Sequence, residues 1–254
     1  MNKLKTVFLC LTLHFVQVSG VFAQSGIKDS VIRFTFLGLN YGFYAPGGDL
    51  ADRFGNCSMA GMDLLHKTSH NLVFGLSGGF IFGNNIKEPG LMSAITTSGG
   101  EIIGADGLIA DVRVFERGYQ LSGAIGKIFP VSKLNPNSGI LLMGGPGFLQ
   151  HKIRIETIGN TVPMLNKEYR KGYDRLTNGL ELREFIGFVS FGNRQLVNFY
   201  AGIECIQAFT GNRRSYNFDN AALNGEKRTD LLFGLKVGWI MPFYKKKPKE
   251  YYLY

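Results

Sequence analysis

Residues 231–244, LLFGLKVGWIMPFY, limit the possible folds more than any other stretch of the chain. Counted by twos, one set is Leu231, Phe233, Leu235, Val237, Trp239, Met241 and Phe243. The other is Leu232, Gly234, Lys236, Gly238, Ile240, Pro242 and Tyr244. A strand sends alternate side chains to opposite faces. One face here is unbroken hydrocarbon and aromatic, and the other is mostly small with a lysine. That is the pattern of a strand with lipid on one side and a narrow, partly polar interior on the other.

The pattern recurs. Strand-like segments are read at 31–44, 57–66, 72–82, 112–129, 139–157, 176–191, 196–211 and 231–244, and their connections are alternately long and short. These features predict an all-β chain, an up-and-down antiparallel transmembrane β-barrel of about eight strands. Such barrels have short turns at one end and longer loops at the other. Only a closed barrel lets a sheet span lipid, because each backbone group must find a partner within it. The 34 glycines and 13% aromatic residues suit strands and turns. A mean hydropathy of +0.03 is no objection, since alternation keeps the average of a spanning strand low. A secreted lipocalin-like barrel or sandwich is the soluble alternative.

Residues 1–23 read as a cleaved signal peptide. Lys3 and Lys5 precede an apolar run, and Val21-Phe22-Ala23 supplies a small-residue cleavage site. The run is too short for a helical anchor. The barrel is then expected over 24–244, with a basic, aromatic tail at 245–254. An even strand number places both termini in the periplasm and the chain in the cell outer membrane. Less the two lysines of the signal, the formal charge of +9 becomes +7. Charge gathers at strand ends, which suits acidic headgroups or an acidic partner; an exported protein gives no reason to expect nucleic acid. Alternation turns Cys57 inward and Cys205 outward, so free thiols are expected rather than a disulfide.

Some segments resist simple alternation. Ile32, Phe34 and Phe36 share one parity while Leu37, Leu39 and Tyr41 share the other, which calls for a bulge near Phe36 or a late strand start. Gly144-Gly145-Pro146-Gly147 reads as a second bulge. Glu184 falls among Leu180, Leu182, Ile186 and Phe188 on the outer face, where a carboxylate at mid-depth is costly. A register shift or a covering protein partner would account for it.

The expected lumen network is Asp63, Gln120, Lys152, Arg154, Glu156, Glu181, Arg183, Glu204 and Lys236. About eight strands leave room for side chains to fill the interior, so this set reads as a neutralising plug. Catalysis by a barrel would need a base and a nucleophile in contact. The histidines of the mature chain are His66, His70 and His151; only His151 sits where a lipid-modifying site could lie, and no spacing ties it to a Ser or Asp. There is no phosphate loop, metal-ligand spacing or dinucleotide fingerprint, so no catalytic residue, metal or cofactor is expected.

The ending Lys236-Val237-Gly238-Trp239-Ile240-Met241-Pro242-Phe243-Tyr244, followed by a lysine-rich tail closing on Tyr251-Tyr252-Leu253-Tyr254, resembles small outer-membrane barrels of the Bacteroidota. The nearest group is the PorT and PorG-like one associated with type IX secretion. The resemblance implies a non-enzymatic accessory or scaffold subunit of an envelope machine, for protein secretion or outer-membrane protein assembly. It implies protein partners besides outer-membrane lipids such as lipopolysaccharide. Lys245, Lys246, Lys247, Lys249, Tyr251, Tyr252 and Tyr254 would then form a partner-binding tail. A small porin or ligand-binding barrel, and a lipid-modifying enzyme using His151, are the other readings.

Overall fold

A computed structural model of the chain describes residues 30–159, 162–192, 197–219 and 227–243. The expected signal peptide and basic tail lie outside the described residues.

Eight antiparallel strands close into a barrel in chain order. They are β1 (Phe34–Gly48), β2 (Cys57–Lys67), β3 (Leu72–Gly83), β4 (Asp111–Pro130), β5 (Gly139–Ile158), β6 (Thr177–Phe191), β7 (Asn198–Asn212) and β8 (Lys227–Phe243). Closure is made by β1 and β8, paired from Thr35↔Phe243 to Gly48↔Asp230. Short turns and long connections alternate as expected. The long connections run over 49–56, 84–110, 159–176 and 213–226, all at one end, here called the loop end; the opposite end is the turn end. The first long connection carries a short helix, α1 (Asp49–Arg53). Among the described residues no helix is long and apolar enough to cross a membrane, which says nothing about crossing by strands.

Alternation in β8 is complete: from Asp230 to Pro242 the even positions are buried or half-buried, while Phe233, Leu235, Val237, Trp239, Met241 and Phe243 are exposed. The other strands extend this belt with Leu39, Tyr41 and Phe43 on β1, Phe74, Leu76 and Phe80 on β3, and Leu180, Leu182, Ile186 and Phe188 on β6. A monomer in water rarely exposes so continuous an apolar surface. It is the surface that hydrocarbon requires of a spanning barrel.

The two expected bulges are absent. β1 holds one register with β2 from Phe34↔Lys67 to Tyr44↔Cys57 and one with β8 throughout. Phe34 and Phe36 point inward and are buried, so the parity conflict comes from what fills the turn end and not from a slip. On β5 the ladder to β4 is interrupted where Gly145 and Pro146 face Ala124 and Gly123. It resumes at Ile125↔Gly144 without a shift. Proline has no N–H to donate, which breaks the ladder without adding a residue. β6 likewise keeps one register, so Glu184 does project outward, opposite Gly144 and Cys205.

Two apolar clusters occupy the interior. The turn-end cluster contains Phe34, Phe36, Leu65, Val73, Ile128, Leu141, Val189, Phe191 and Ile240. Edge-to-face packing holds Phe191 against Phe34 at 5.0 Å and against Phe36 at 5.5 Å. The loop-end cluster joins Tyr44, Met59, Ile81, Leu149, Ile153, Ile155, Ile206 and Leu232 from the strands to Leu50, Phe54, Met92, Ile102, Leu165 and Tyr173 from the connections. The long connections therefore fold into the barrel mouth as part of its core.

Candidate functional site

Between the two clusters lies a belt of buried charge. Asp63 on β2, Arg183 on β6, Glu204 on β7 and Lys236 on β8 converge because each occupies an inward parity at the same depth. Glu204 Oε1 accepts from Arg183 Nε at 2.9 Å and from Lys236 Nζ at 3.0 Å. Asp63 Oδ1 lies 3.7 Å from Arg183 NH1 and 3.6 Å from Lys236 Nζ, so each cation is shared by both carboxylates. The tyrosines of this layer complete the acceptors: Tyr44 donates to Glu204 and Tyr200 to Asp63, while Ser77 donates to Asp63 as well. Asn40 Nδ2 adds a bond to Asp63 at 3.0 Å. To one side Gln120 Nε2 donates to Glu181 Oε1 at 2.6 Å and to Ser122 Oγ at 2.7 Å.

Two glycines make the tyrosine placements possible. A Cβ on Gly42 would stand 2.5 Å from the Tyr44 ring, and one on Gly238 would stand 2.3 Å from the Tyr200 ring. Small residues on the inner face of β1 and β8 thus leave space for aromatic rings reaching across the lumen. Removing such charges from water costs several kcal/mol per ion unless each is paired and hydrogen-bonded. The sharing of Arg183 and Lys236 by Asp63 and Glu204 pairs every charge of the belt, while Arg183 NH2 keeps no hydrogen-bond partner among the described residues.

Six of the expected lumen residues are therefore inside: Asp63, Gln120, Glu181, Arg183, Glu204 and Lys236. Lys152, Arg154 and Glu156 are not. They face outward near the loop end of β5, while His151, Ile153 and Ile155 face in. Their assignment assumed that apolar residues point to lipid at every height. At this level the outside is polar and the inside is the loop-end cluster, so the faces exchange character.

His151 is fully buried, with Nε2 2.9 Å from Asp230 Oδ2, and the Phe54 ring packs edge-on at 5.4 Å. Thr210 donates to the same Asp230 oxygen and not to His151. His151 Nδ1 has no hydrogen-bond partner among the described residues. The order Thr210–Asp230–His151 puts the carboxylate between hydroxyl and imidazole, which is not the order in which a base activates a nucleophile. His66 lies at the turn end beside Thr35, and His70 is in the exposed turn between β2 and β3. Among the described residues no group of three or more His, Cys, Asp or Glu could hold a metal ion. Cys57 is buried, Cys205 half-buried, and both are free.

A second ionic cluster ties the connections over the mouth. Glu88 accepts from Arg53 Nε at 2.9 Å and Arg175 Nε at 3.1 Å, while Arg175 NH2 donates to Asp219 at 2.8 Å. Burial alone would push the Glu88 carboxyl up, but the two guanidiniums together hold it below its ordinary range. Burial, reinforced by Arg228, lowers Arg53. This cluster escaped sequence reading because its four members come from four separate connections.

The turn end is stitched as well. The buried Lys67 donates from Nζ to Asn137 Oδ1 at 2.8 Å and to the Ile32 carbonyl at 2.9 Å. Asn137 Nδ2 holds the Ser30 carbonyl at 2.9 Å, and Asn71 and Asn135 donate to the Pro136 and Phe191 carbonyls. The interior is thus occupied from floor to mouth.

On the outer wall, Glu184 borders a shallow cleft of about 530 Å³ with Gly144, Cys205, Ile203, Leu142 and Phe233. Its carboxylate has no hydrogen bond or ion pair among the described residues.

No protein-family model matches the chain, and no curated protein matches it. Among solved structures it is similar to Neisserial surface protein A, at 9% identity over 82% of this chain and 97% of that one, with a TM-score of 0.44. Ail, the attachment invasion locus protein of Yersinia pestis, matches at 9% identity over 82% and 97% of the two chains, with a TM-score of 0.40. The outer membrane protein OprG from Pseudomonas aeruginosa matches at 9% identity over 84% and 98%, with a TM-score of 0.33. The eight-stranded closure of this chain rests on its own strand pairing.

Proposed function

We infer that this protein is an outer-membrane barrel that works through its surfaces, as a non-enzymatic accessory or scaffold subunit of an envelope complex. The observation that carries this reading is the filled interior. Among the described residues an apolar floor, a shared-charge belt and connections folded into the mouth fill the lumen at three depths. That weighs against the porin reading. The burial of His151 beneath Phe54, with Asp230 between it and Thr210, weighs against the lipid-modifying reading.

Glu184 supports a partner on the outer wall. Leu180 and Leu182 precede it and Ile186 and Phe188 follow it on the outward face of β6, so it sits in the middle of the apolar belt. A carboxylate there is costly in lipid. A membrane-embedded protein segment carrying a hydrogen-bond donor, seated against Gly144, would relieve the cost. By the resemblance of its ending to PorT and PorG-like barrels, the machine would serve protein secretion. In this reading both termini are periplasmic and the long connections face the exterior.

The test is affinity purification of the full chain from membranes in mild detergent, with Glu184→Leu beside it. A stoichiometric membrane partner recovered with the parent chain and lost with E184L is the expected outcome. Recovery of the bare barrel from both would defeat the subunit reading, and conductance of the pure protein in planar bilayers would restore the porin.

A further inference from the structure

The three residues that left the expected lumen form, with β4, a charged surface just above the apolar belt. Arg117 on β4 pairs directly with Lys152 on β5; one step toward the loop end Phe115 pairs with Arg154, and Arg113 with Glu156. One step toward the belt, the outward pair is Tyr119 with Gln150. The surface gives way to Phe82, Ser58 and Phe43 along the same row on the preceding strands, while toward β6 Gln150 accepts from Asn178, which in turn accepts from Arg213.

Its acids are already engaged. Asp111 holds Arg113 at 2.9 Å and Glu156 holds Arg154 at 2.6 Å. Arg117 spends NH1 on the carbonyls of Glu116 and Gly83, and its guanidinium lies 4.8 Å from the centre of the Phe115 ring. Its carboxylate neighbour, Glu116, is buried on the inner face with no ion pair to it among the described residues. Lys152 makes no hydrogen bond or ion pair among the described residues. Two cations thus stand directly opposite each other across a strand pair with no anion between them. Like charges in that position destabilise a sheet. The arrangement is relieved when a phosphate bridges the two, with Tyr119 and Phe148, ring centroids 6.3 Å apart, lying below it where acyl chains begin.

We propose that Arg117 and Lys152 form a binding site for the phosphorylated headgroup of a glycolipid in the outer leaflet. The ligand chemistry is a phosphate monoester on a lipid whose acyl chains lie along the wall of β4 and β5. The site rests on the membrane reading and on the loop end facing outward.

The experiment uses the full chain in dodecyl maltoside, titrated with diphosphoryl lipid A and separately with its dephosphorylated form, followed by native mass spectrometry. The parent chain is expected to retain the diphosphoryl form selectively. R117Q/K152Q should weaken retention about 30-fold, at roughly fivefold for each cation removed near a charged membrane surface. K152Q alone removes a side chain that holds nothing else in place, so it keeps the test valid if the double variant folds poorly; about fivefold is expected of it. K127Q, which removes an outward cation at the turn end, should bind as the parent does. Equal retention of the dephosphorylated lipid, or unchanged binding by K152Q and the double variant, would overturn the site. Displacement of the lipid by millimolar inorganic phosphate would overturn the headgroup as its ligand. A chain that stays monodisperse without detergent would bring down the membrane reading itself, a result distinguishable from all of these.

Discussion

The middle of the barrel and its loop end follow opposite rules. At the depth of Glu204 and Lys236 the inside is charged and the outside is Leu235 and Ile203. On β5 near the mouth, Ile153 and Ile155 are inside and Lys152 and Arg154 outside. The same alternation runs through both, and what differs is the medium on the outer wall. In the belt, hydrocarbon claims the apolar parity and the polar remainder must satisfy itself within. Above the belt, polar surroundings claim the charged parity, and the apolar one joins the folded connections as a core. The turn end repeats the second rule with Phe34 and Phe36.

The largest expected effect tests the middle. Arg183→Leu would leave Glu204 and Asp63 sharing Lys236 alone. Breaking a buried pair from one side costs roughly 3–5 kcal/mol. Equilibrium urea unfolding in detergent, followed by heat-modifiable gel mobility, should show that loss. A change under about 1 kcal/mol would mean that the belt is hydrated and its charges are not confined to one another.

The same contrast explains what could be read without coordinates. The strand plan was legible because period-two alternation and turn residues are local signals, and the described strand limits lie within a few residues of the expected ones. Asp63, Glu181, Arg183, Glu204 and Lys236 were legible because they occupy the polar parity where lipid fixes the other. Lys152, Arg154 and Glu156 were misplaced because nothing in β5 marks the height at which the outer medium changes. Glu116, inside the expected fourth strand, and Asp230, one residue before the expected eighth, are in phase with Gln120 and Lys236, so the same parity rule could have found both. The Glu88, Arg53, Arg175 and Asp219 cluster carries no periodic signal, since loop packing alone brings it together.

Ile153 and Lys152 are adjacent, and they should respond oppositely if the faces do exchange. Ile153→Ala opens a cavity in the loop-end cluster and should cost about 2–4 kcal/mol. Lys152→Ala touches no partner and should change stability by less than about 0.5 kcal/mol. The same urea assay separates them, and a larger loss for Lys152→Ala would return β5 to the charge-inward phase.

The smallest effect concerns pH and distinguishes the mouth from the belt. Glu88 lies in a connection, outside the spanning strands, so its titration is open to bulk solvent. Its carboxyl is held below its ordinary value by Arg53 and Arg175 against the opposing pull of burial. A carboxylate with a depressed folded value stabilises the fold above its unfolded value, about 4.3 for Glu. That contribution is lost as pH falls below this point and through the lower folded value. Asp219, raised by burial and in part by Glu88 itself, pulls the other way, so the variant loses the Glu88 contribution and at the same time relieves part of the rise on Asp219. Glu88→Gln should cost about 1–2 kcal/mol near neutrality, for the loss of charge-assisted bonds. Thermal midpoints of parent and variant should then converge as pH falls from about 6 to about 3. A gap constant across that range would show that Glu88 holds the two arginines by shape alone, and that the mouth is closed by the apolar cluster beneath it.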